Sequence, residues 1–286
     1  MVDKYLQYLK VIKKYSVDTI NSYKCDIKEF IAFISVNYQD ITNDDVRLYL
    51  SALYDRGLTK KTIARKLSSL RGYYNYLLKE RIVKYNYFDE IKNPKYEKCL
   101  PTFFRIDEID KILDTIDVTT VLGKRNYLII EMLYSTGLRI SELVNIKLSD
   151  INYDDLSIKV LGKRSKQRYV FYGSYCEKAL SNYLDVRGML NKYNSDYLFL
   201  NKMGGNITTR GVRKVFDKIL VNSCIELKAT VHTLRHTFAT HLLNNGMDLM
   251  SVKELLGHES LNTTSIYTHV TDEHMMEVYY RTHPRN

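Results

Sequence analysis

The sequence has few cysteines and prolines and no long apolar run, and each shortage excludes a class of protein. Its four cysteines, Cys25, Cys99, Cys176 and Cys224, lie far apart and form no Cys-x-x-Cys pair. This spacing argues against a zinc site or a disulfide framework and suits a reducing compartment. No stretch of about 18 apolar residues predicts a transmembrane helix, and the N-terminus lacks the apolar centre of a signal peptide. We therefore expect a cytoplasmic protein.

Negative charge is also scarce. The 286 residues include 43 Lys and Arg against 33 Asp and Glu, which gives a formal net charge of +10. A surplus of this size favours a polyanionic partner, most commonly nucleic acid, although many basic proteins bind none specifically. Hydrophobic residues make up 45% of the chain, which is enough to build cores. The length suits two domains, because single cores tend to stop growing near ~250–300 residues.

Two of the three prolines mark a boundary between domains. Pro94 and Pro101 bracket a polar, charged segment, and proline disfavours helix at its own position and at the preceding residue. The sequence therefore predicts an all-helical domain over residues 1–93, a linker over 94–104 and a second domain over 105–286.

Apolar residues at helical spacing define the N-terminal domain. One helix is predicted after a capping residue, Ser16, and its apolar positions are Ile20, Tyr23, Ile27, Phe30, Ile31 and Ile34. Another opens at Thr42 and ends at Gly57. A third starts at Thr59, with an apolar stripe at Ile63, Leu67, Leu70, Tyr74 and Leu77.

The third helix also has a cationic face. At about 100° per residue, Lys61 and Arg65 fall nearly opposite its apolar stripe. Such a face is either simply solvated or turned toward DNA, and the helix alone does not decide between the two.

The second domain mixes helices with a few strands. Helices are predicted over 106–116 and 121–136, with Gly137 at a C-cap position. Two strands, 157–160 and 168–172, flank a basic turn, and 197–200 is a candidate third strand. Helix is predicted again from Thr208 to about Arg281. The expected fold is mainly α with a small sheet or hairpin, an α+β domain preceded by an all-α helical bundle.

Four separated segments of the second domain contain unusual polar residues. Arg139 follows the helix-ending glycine, so it lies at a junction. His232 and Arg235 are three residues apart and share a face if helical. His232 and His236 have the spacing of a metal pair but lack the glutamate of His-Glu-x-x-His, so no metal site is predicted. The other two segments are Leu-Gly-His-Glu-Ser at 256–260 and Thr-Ser-Ile-Tyr-Thr-His at 264–269.

Together these segments resemble the tyrosine recombinase (phage integrase) family, most closely its short Xer-like members. The family's catalytic set, in chain order, is Arg, Lys, His-x-x-Arg, His or Trp, and Tyr. The residues that match it are Arg139, Lys163, His232, Arg235, His258 and Tyr267. The motifs cover roughly residues 100–286, whereas the N-terminal domain agrees in length and helical pattern only.

One position departs from the family pattern. Xer-like hairpins usually read Gly-Lys-Gly, but here Arg164 replaces the second glycine, and losing that glycine restricts the turn. Lys166 therefore remains an alternative to Lys163 as the hairpin lysine.

The resemblance implies a DNA recombinase that cleaves and rejoins strands through a 3′-phosphotyrosyl intermediate, without ATP, metal or other cofactor. A phenol of pKa near ~10 can both attack phosphorus and leave again. Arg139 and Arg235 can hold the non-bridging phosphate oxygens in a fork. His232 and His258 can donate hydrogen bonds or move the tyrosine proton, and the resemblance assigns Lys163 the protonation of the departing 5′ oxygen.

Further residues are predicted to support the reaction or to bind DNA. Glu142 either anchors Arg139 or caps the helix that begins near Ser141. His236 and His269 are assigned similar supporting roles. Candidate DNA contacts, which would position the duplex more than read its sequence, are Lys61, Arg65, Arg210, Arg213 and Lys214.

The segment after the candidate nucleophile, 272–280, has helical spacing and an apolar face at Met275, Met276 and Tyr279. In the resembling family such a helix docks on a neighbouring subunit of a tetramer on two duplexes, where the partner is a second copy or a sister recombinase. The alternative is packing within its own domain.

Two other functions share part of this evidence. A type IB topoisomerase-like nicking and relaxing enzyme would use the same chemistry, and a catalytically inactive DNA-binding regulator would keep only the DNA contacts. The helical N-terminal domain and the apolar tail favour recombination, and the complete set of candidate side chains argues against a decayed site. The target sequence and the choice between chromosome dimer resolution and mobile-element integration stay open.

Overall fold

The structure is a computed structural model that describes residues 1–95, 102–162, 167–227, 229–257 and 272–286, with only the backbone of residues 272–274. The chain divides into two compact units, Met1–Cys99 and Leu100–Asn286. Among the described residues, no helix is both long enough and apolar enough to cross a membrane.

The first unit is all helical in its described part, as the sequence predicts. Its helices are α1 (Val2–Val11), α2 (Val17–Phe33), α3 (Asn43–Asp55) and α4 (Lys60–Lys79), followed by a 3₁₀ turn at Tyr87–Asp89. Each predicted cap is confirmed: the side chains of Ser16, Thr42 and Thr59 accept hydrogen bonds from the first turns of α2, α3 and α4. These bonds pair amide groups that a helix start otherwise leaves free.

An aromatic core holds these helices together. The ring of Phe30 on α2 meets Tyr49, Tyr74 and Phe88 edge-on, with centroid distances of 5.0, 6.1 and 5.2 Å. All four rings are at most 1% exposed. Edge-to-face packing of this kind adds to the stabilisation that comes from burying apolar area.

The second unit combines helices with one small sheet, so the predicted fold class is confirmed. Its helices are α5 (Ile106–Asp114), α6 (Val121–Thr136), α7 (Ile140–Leu143), α8 (Ser174–Arg187), α9 (Thr209–Asn222), α10 (Val231–Asn244), α11 (Leu249–Leu256) and α12 (Asp272–Thr282). The helix predicted from Thr208 onward is thus four separate helices, interrupted at 223–230 and 245–248 among the described residues. Helix α6 lies at the centre and packs against α8 and α10.

The sheet has three antiparallel strands in chain order: β1 (Ile151–Asn152), β2 (Ser157–Leu161) and β3 (Gln167–Phe171). The two predicted strands correspond to β2 and β3, which pair from Ser157 opposite Phe171 to Leu161 opposite Gln167. Residues 163–166 at the tip of this hairpin lie outside the described residues.

The strand predicted over 197–200 is wrong. Tyr197 and Leu200 form only isolated bridges, one with Lys147 and one with Asn206. The N–H of Leu198 donates to the carbonyl of Ile146 at 2.8 Å, but Phe199 is bonded through its carbonyl to a different loop. Because two loops share the pairing, no continuous ladder forms, although the apolar pattern is that of a strand.

The predicted linker, 94–104, overlaps the second unit at its end. Phe104 is fully buried in the core of this unit. Its N–H donates to Thr237 Oγ1 on α10 at 2.9 Å. The chain is therefore already fixed to the second unit just before α5 begins.

The C-terminal residues are anchored inside their own unit by buried charge. The guanidinium of Arg285 contacts Glu131 on α6 at 3.0 Å and Asp110 on α5 at 2.5 Å. It also lies over the ring of Tyr175, 4.3 Å from the centroid. Because Glu131 is fully buried, Arg285 compensates a charge that would otherwise be costly in the core.

The imidazole of His283 is buried beside this anchor, stacked on Tyr279 with a centroid distance of 5.2 Å. Burial lowers the pKa of His283 to about 3. The unfolded chain takes up this proton near pH ~6.5, so it binds more protons than the folded chain between the two values. Stability should therefore fall as the pH drops from 7.5 to 5.5, by about 1.4 kcal/mol from this residue alone.

The variant His283→Phe keeps an aromatic ring but cannot be protonated. Chemical denaturation of both proteins at pH 7.5 and 5.5 measures the difference. We expect the wild type to lose more stability on acidification than the variant. Equal losses would show that His283 is not held neutral in the folded state.

Candidate active site

Arg139 occupies the sharp junction between two helices. Helix α6 ends at Gly137, whose φ is +60°, and α7 begins directly after Arg139. Both predicted roles of Glu142 are present. Its Oε2 accepts the backbone N–H of Arg139 at 2.8 Å, and its Oε1 accepts the guanidinium at 2.9 Å. The carboxylate thus caps α7 and anchors the arginine at the same time.

Arg235 lies on α10 and is 8% exposed. Its guanidinium donates to the carbonyl of Gly137 at 2.5 Å and to that of Leu256 at 2.6 Å. Burial, together with the positive charge of Arg139, lowers the pKa of Arg235 to about 10. The group still carries its charge at neutral pH, and its planar fork has further N–H donors beyond the two that bind these carbonyls.

The two arginines converge on the end of α11. Arg139 donates to the carbonyl of Gly257 at 3.4 Å, next to the Leu256 carbonyl that Arg235 binds. A helix end leaves its last carbonyls without helical partners and carries a partial negative charge. Cations from two distant parts of the chain are therefore held side by side, directly before His258 in the sequence.

His232 lies in the first turn of α10, one turn before Arg235, and is exposed. No described residue forms a hydrogen bond with its ring, while His236 on the same helix is half-buried. The remaining predicted residues fall outside the described residues, namely Lys163, its alternative Lys166, His258, Tyr267 and His269.

Sequence reasoning missed one residue of this cluster, Arg168 on β3. Its guanidinium donates to both carboxylate oxygens of Glu142, at 2.9 and 3.0 Å. Burial would raise the pKa of the Glu142 carboxyl, but hydrogen bonds from Arg168 and Arg139 outweigh it and hold the pKa below its ordinary value. In the sequence Arg168 is only one cation of a basic hairpin, and no motif distinguishes it.

The candidate DNA contacts of the first unit lie on α4. Lys61 and Arg65 are exposed and line a shallow groove of about 470 Å³. Arg65 is paired with the buried carboxylate of Asp26, so part of its charge is compensated, whereas no described carboxylate pairs with Lys61. In the second unit the three candidates on α9 are exposed: Arg210, Arg213 and Lys214.

Comparison with known families identifies two matching regions of the chain. Residues 102–274 match the phage integrase family, and residues 2–81 match the phage integrase N-terminal SAM-like domain. The chain belongs to the phage integrase family and is a tyrosine site-specific recombinase.

Individual relatives are similar over nearly the whole length. "Tyrosine recombinase XerC" of Anoxybacillus flavithermus is 45% identical over 98% of this chain and 96% of its own. The protein of the same name from Oceanobacillus iheyensis is 43% identical over 99% of this chain and 96% of its own.

Solved structures share the fold. The XerH site-specific recombinase in a pre-cleavage complex with difH substrate has a TM-score of 0.70 and 28% identity, over 97% of this chain and 83% of that chain. A lambda integrase dimer bound to a COC' core site has a TM-score of 0.73 over 94% of this chain and 98% of that chain. At 18% identity it shows the fold alone.

The junction that orients Arg139 should tolerate no side chain at Gly137. A Cβ there would lie 2.8 Å from Phe238 Cε1 and 3.0 Å from Leu256 Cδ2. Gly137→Ala combines this overlap with a left-handed backbone, and we expect it to destabilise the unit by about 2–5 kcal/mol. Thermal or chemical unfolding measures the loss.

Gly246→Ala is the matched control, because Gly246 has a φ of +93° and nothing within 4 Å of an added Cβ. This variant should lose only the stability that a left-handed backbone costs an alanine, about 1–2 kcal/mol. If both variants lost the same stability, close packing against the junction would not be what requires Gly137.

Proposed function

We propose that this recombinase cuts one DNA strand with Tyr267, retains the 3′ end as a phosphotyrosine, and passes it to a second duplex. The observation on which the proposal rests is the meeting of Arg139 and Arg235 at the end of α11, on the carbonyls of Gly257 and Leu256. Two cations held this close by fixed carbonyls suit a phosphate that gains negative charge as it reacts.

The arginines would bind the non-bridging oxygens of the scissile phosphate. Because protein contacts already hold both guanidinium groups, little reorganisation is needed when charge develops in the transition state. Losing one such donor typically costs about 2.7–4 kcal/mol of transition-state stabilisation. Two arginines and a lysine thereby do the electrostatic work that metal ions do in other nucleases, so the proposal includes no metal.

The covalent step conserves the energy of the phosphodiester. The phenolate oxygen of Tyr267 forms a bond to phosphorus while the bond from phosphorus to the 5′ oxygen breaks. Lys163, or its alternative Lys166, gives a proton to that departing oxygen. His232 and His258 donate hydrogen bonds or move the phenol proton. Since the phosphotyrosine can be attacked by another 5′ hydroxyl, rejoining needs no ATP.

The partners would be a DNA recombination site and further recombinase subunits. The XerH relative is described as bound to its difH substrate, and we extend double-stranded DNA as the partner to this chain. In this proposal residues 1–93 form the domain that binds core DNA, residues 105–286 form the catalytic domain, and residues 94–104 link the two. The three described cysteines are free thiols, in keeping with our proposal of a cytoplasmic location.

Assembly into a tetramer through the C-terminal tail is part of the same proposal. The buried face of α12 includes Met275, Val278 and Tyr279, which pack against Phe171 and Phe238 of their own unit. A groove that accepts this helix from its own chain can accept the same helix from an identical neighbour, because the contacts are the same. The neighbour is either a second copy or a sister recombinase.

Covalent trapping tests the nucleophile. Purified protein is mixed with a nicked suicide duplex that contains its candidate site, without metal or ATP, and run on a denaturing gel. We expect a slowly migrating protein–DNA adduct with the wild type and none with Tyr267→Phe, because the variant lacks the phenolic oxygen.

Each other outcome contradicts a different part of the proposal. An adduct that survives in Tyr267→Phe would mean that another tyrosine is the nucleophile. Tight DNA binding without any adduct, even when a sister recombinase is supplied, would indicate a non-catalytic DNA-binding protein. Relaxation of a supercoiled plasmid without exchange between two sites would indicate a topoisomerase-like enzyme.

The salt dependence of DNA binding tests the cationic face of α4. If Lys61 contacts a phosphate, Lys61→Ala should reduce the slope of log K against log salt by about 0.9. Lys79→Ala is the matched control, because it removes the same charge from the same helix about 27 Å away. Filter binding over a range of salt concentrations measures both slopes. Equal changes in the two variants would mean that only net charge matters.

A further inference from the structure

Arg168 connects three parts of the second unit. It lies on β3, the strand that leaves the basic hairpin, and its side chain is 15% exposed. The guanidinium donates two parallel hydrogen bonds to Glu142 at 2.9 and 3.0 Å. Its Nε donates to the carbonyl of Leu255 near the end of α11 at 3.3 Å. None of the matched family motifs includes this residue.

The carboxylate of Glu142 is saturated by these contacts. It accepts two hydrogen bonds from Arg168, one from the guanidinium of Arg139 and one from the Arg139 backbone. A carboxylate has about four acceptor positions, so none is left over. Two guanidinium groups share one carboxylate, and the cluster therefore keeps a net positive charge.

Without Arg168 the balance of charge would change. Glu142 would have two vacant acceptor positions in a site where its side chain is 5% exposed. Arg139 is within reach of them, because its guanidinium already makes one hydrogen bond to this carboxylate. A full two-bond pair between Arg139 and Glu142 would compensate the positive charge of Arg139 and turn its fork away from a phosphate.

Arg168 also lies directly against the chain that leads to His258. A Cβ added at Gly257 would be 3.1 Å from both Cδ and Nε of Arg168. The arginine therefore supports the same turn whose carbonyls receive Arg139 and Arg235.

We propose that Arg168 is a positioning residue for strand cleavage: it occupies Glu142, so that this carboxylate does not compensate the charge of Arg139 and the Arg139 guanidinium stays free to bind the scissile phosphate. This inference rests on the proposed function, since Arg139 must act on a phosphate for its charge to matter. The competing explanation is an ordinary buried ion pair that contributes to folding alone.

The test compares cleavage of two nicked suicide duplexes. One contains the normal scissile phosphate and the other a methylphosphonate, in which a methyl group replaces one charged oxygen. A neutral methylphosphonate depends less on positive charge in the site. Single-turnover adduct formation is measured for wild type, Arg168→Gln and Arg168→Lys. The ratio of the two rates does not depend on the fraction of folded enzyme.

We expect Arg168→Gln to cleave the normal phosphate about 10–100-fold more slowly than wild type, the usual size for loss of a supporting contact. On the methylphosphonate the rate deficit of Arg168→Gln should shrink to about threefold or less, because this neutral substrate depends less on uncompensated positive charge in the site. Arg168→Lys keeps the positive charge but not the planar fork, so its rate on the normal phosphate should fall between those of wild type and Arg168→Gln.

Arg187→Gln is the matched control. Arg187 is also buried and binds backbone carbonyls, those of Ser195, Tyr197 and Leu198, none of which belongs to the arginine cluster. Its loss should affect both substrates equally. The inference would be overturned if Arg168→Gln lost the same rate factor on both substrates, or if it cleaved the normal phosphate at the wild-type rate. Failure of the wild type to form an adduct, even when a sister recombinase is supplied, would instead overturn the proposed function.

Discussion

The second unit depends on one carboxylate that two arginines share. Glu142 is nearly buried, and an unpaired charge there would be costly, since breaking a buried ion pair typically costs about 3–5 kcal/mol. Arg139 and Arg168 satisfy it from a helix junction and from a strand. Because each guanidinium also binds a carbonyl at the end of α11, the same contacts that stabilise the carboxylate fix the sheet, α7 and α11 around the site.

A second buried carboxylate, Glu131, is paired with an arginine near the C-terminus. Glu131 on α6 is fully buried and is compensated by Arg285, the second residue from the C-terminus. The last residues therefore complete the core instead of trailing from it. Tyr279 supports this arrangement, because its hydroxyl donates to the carbonyl of Ser135 at 3.1 Å. Any exchange of the tail between subunits would have to replace these contacts with equivalent ones.

Local chemistry explains why several sequence predictions succeeded. Ser16, Thr42 and Thr59 cap helices by accepting hydrogen bonds from amides only three residues further along the chain. Helix α6 ends after Thr136 because the next residue, Gly137, has a left-handed backbone. The strand predicted over 197–200 failed for the opposite reason. Its apolar pattern reflects burial, and its hydrogen bonds go to loops that are distant in sequence. A pattern that records burial alone does not distinguish a strand from a buried extended loop.

By itself the sequence determined the class of the protein and its set of candidate catalytic residues, because motif residues and their order are properties of the chain. It also determined the helices whose caps and apolar stripes are local. Only the tertiary structure decided that Arg139 and Arg235 meet on neighbouring carbonyls, and that Arg168 and Arg139 share Glu142. Those relations join residues from separate elements, and a shared carboxylate is visible only after the chain has folded around it.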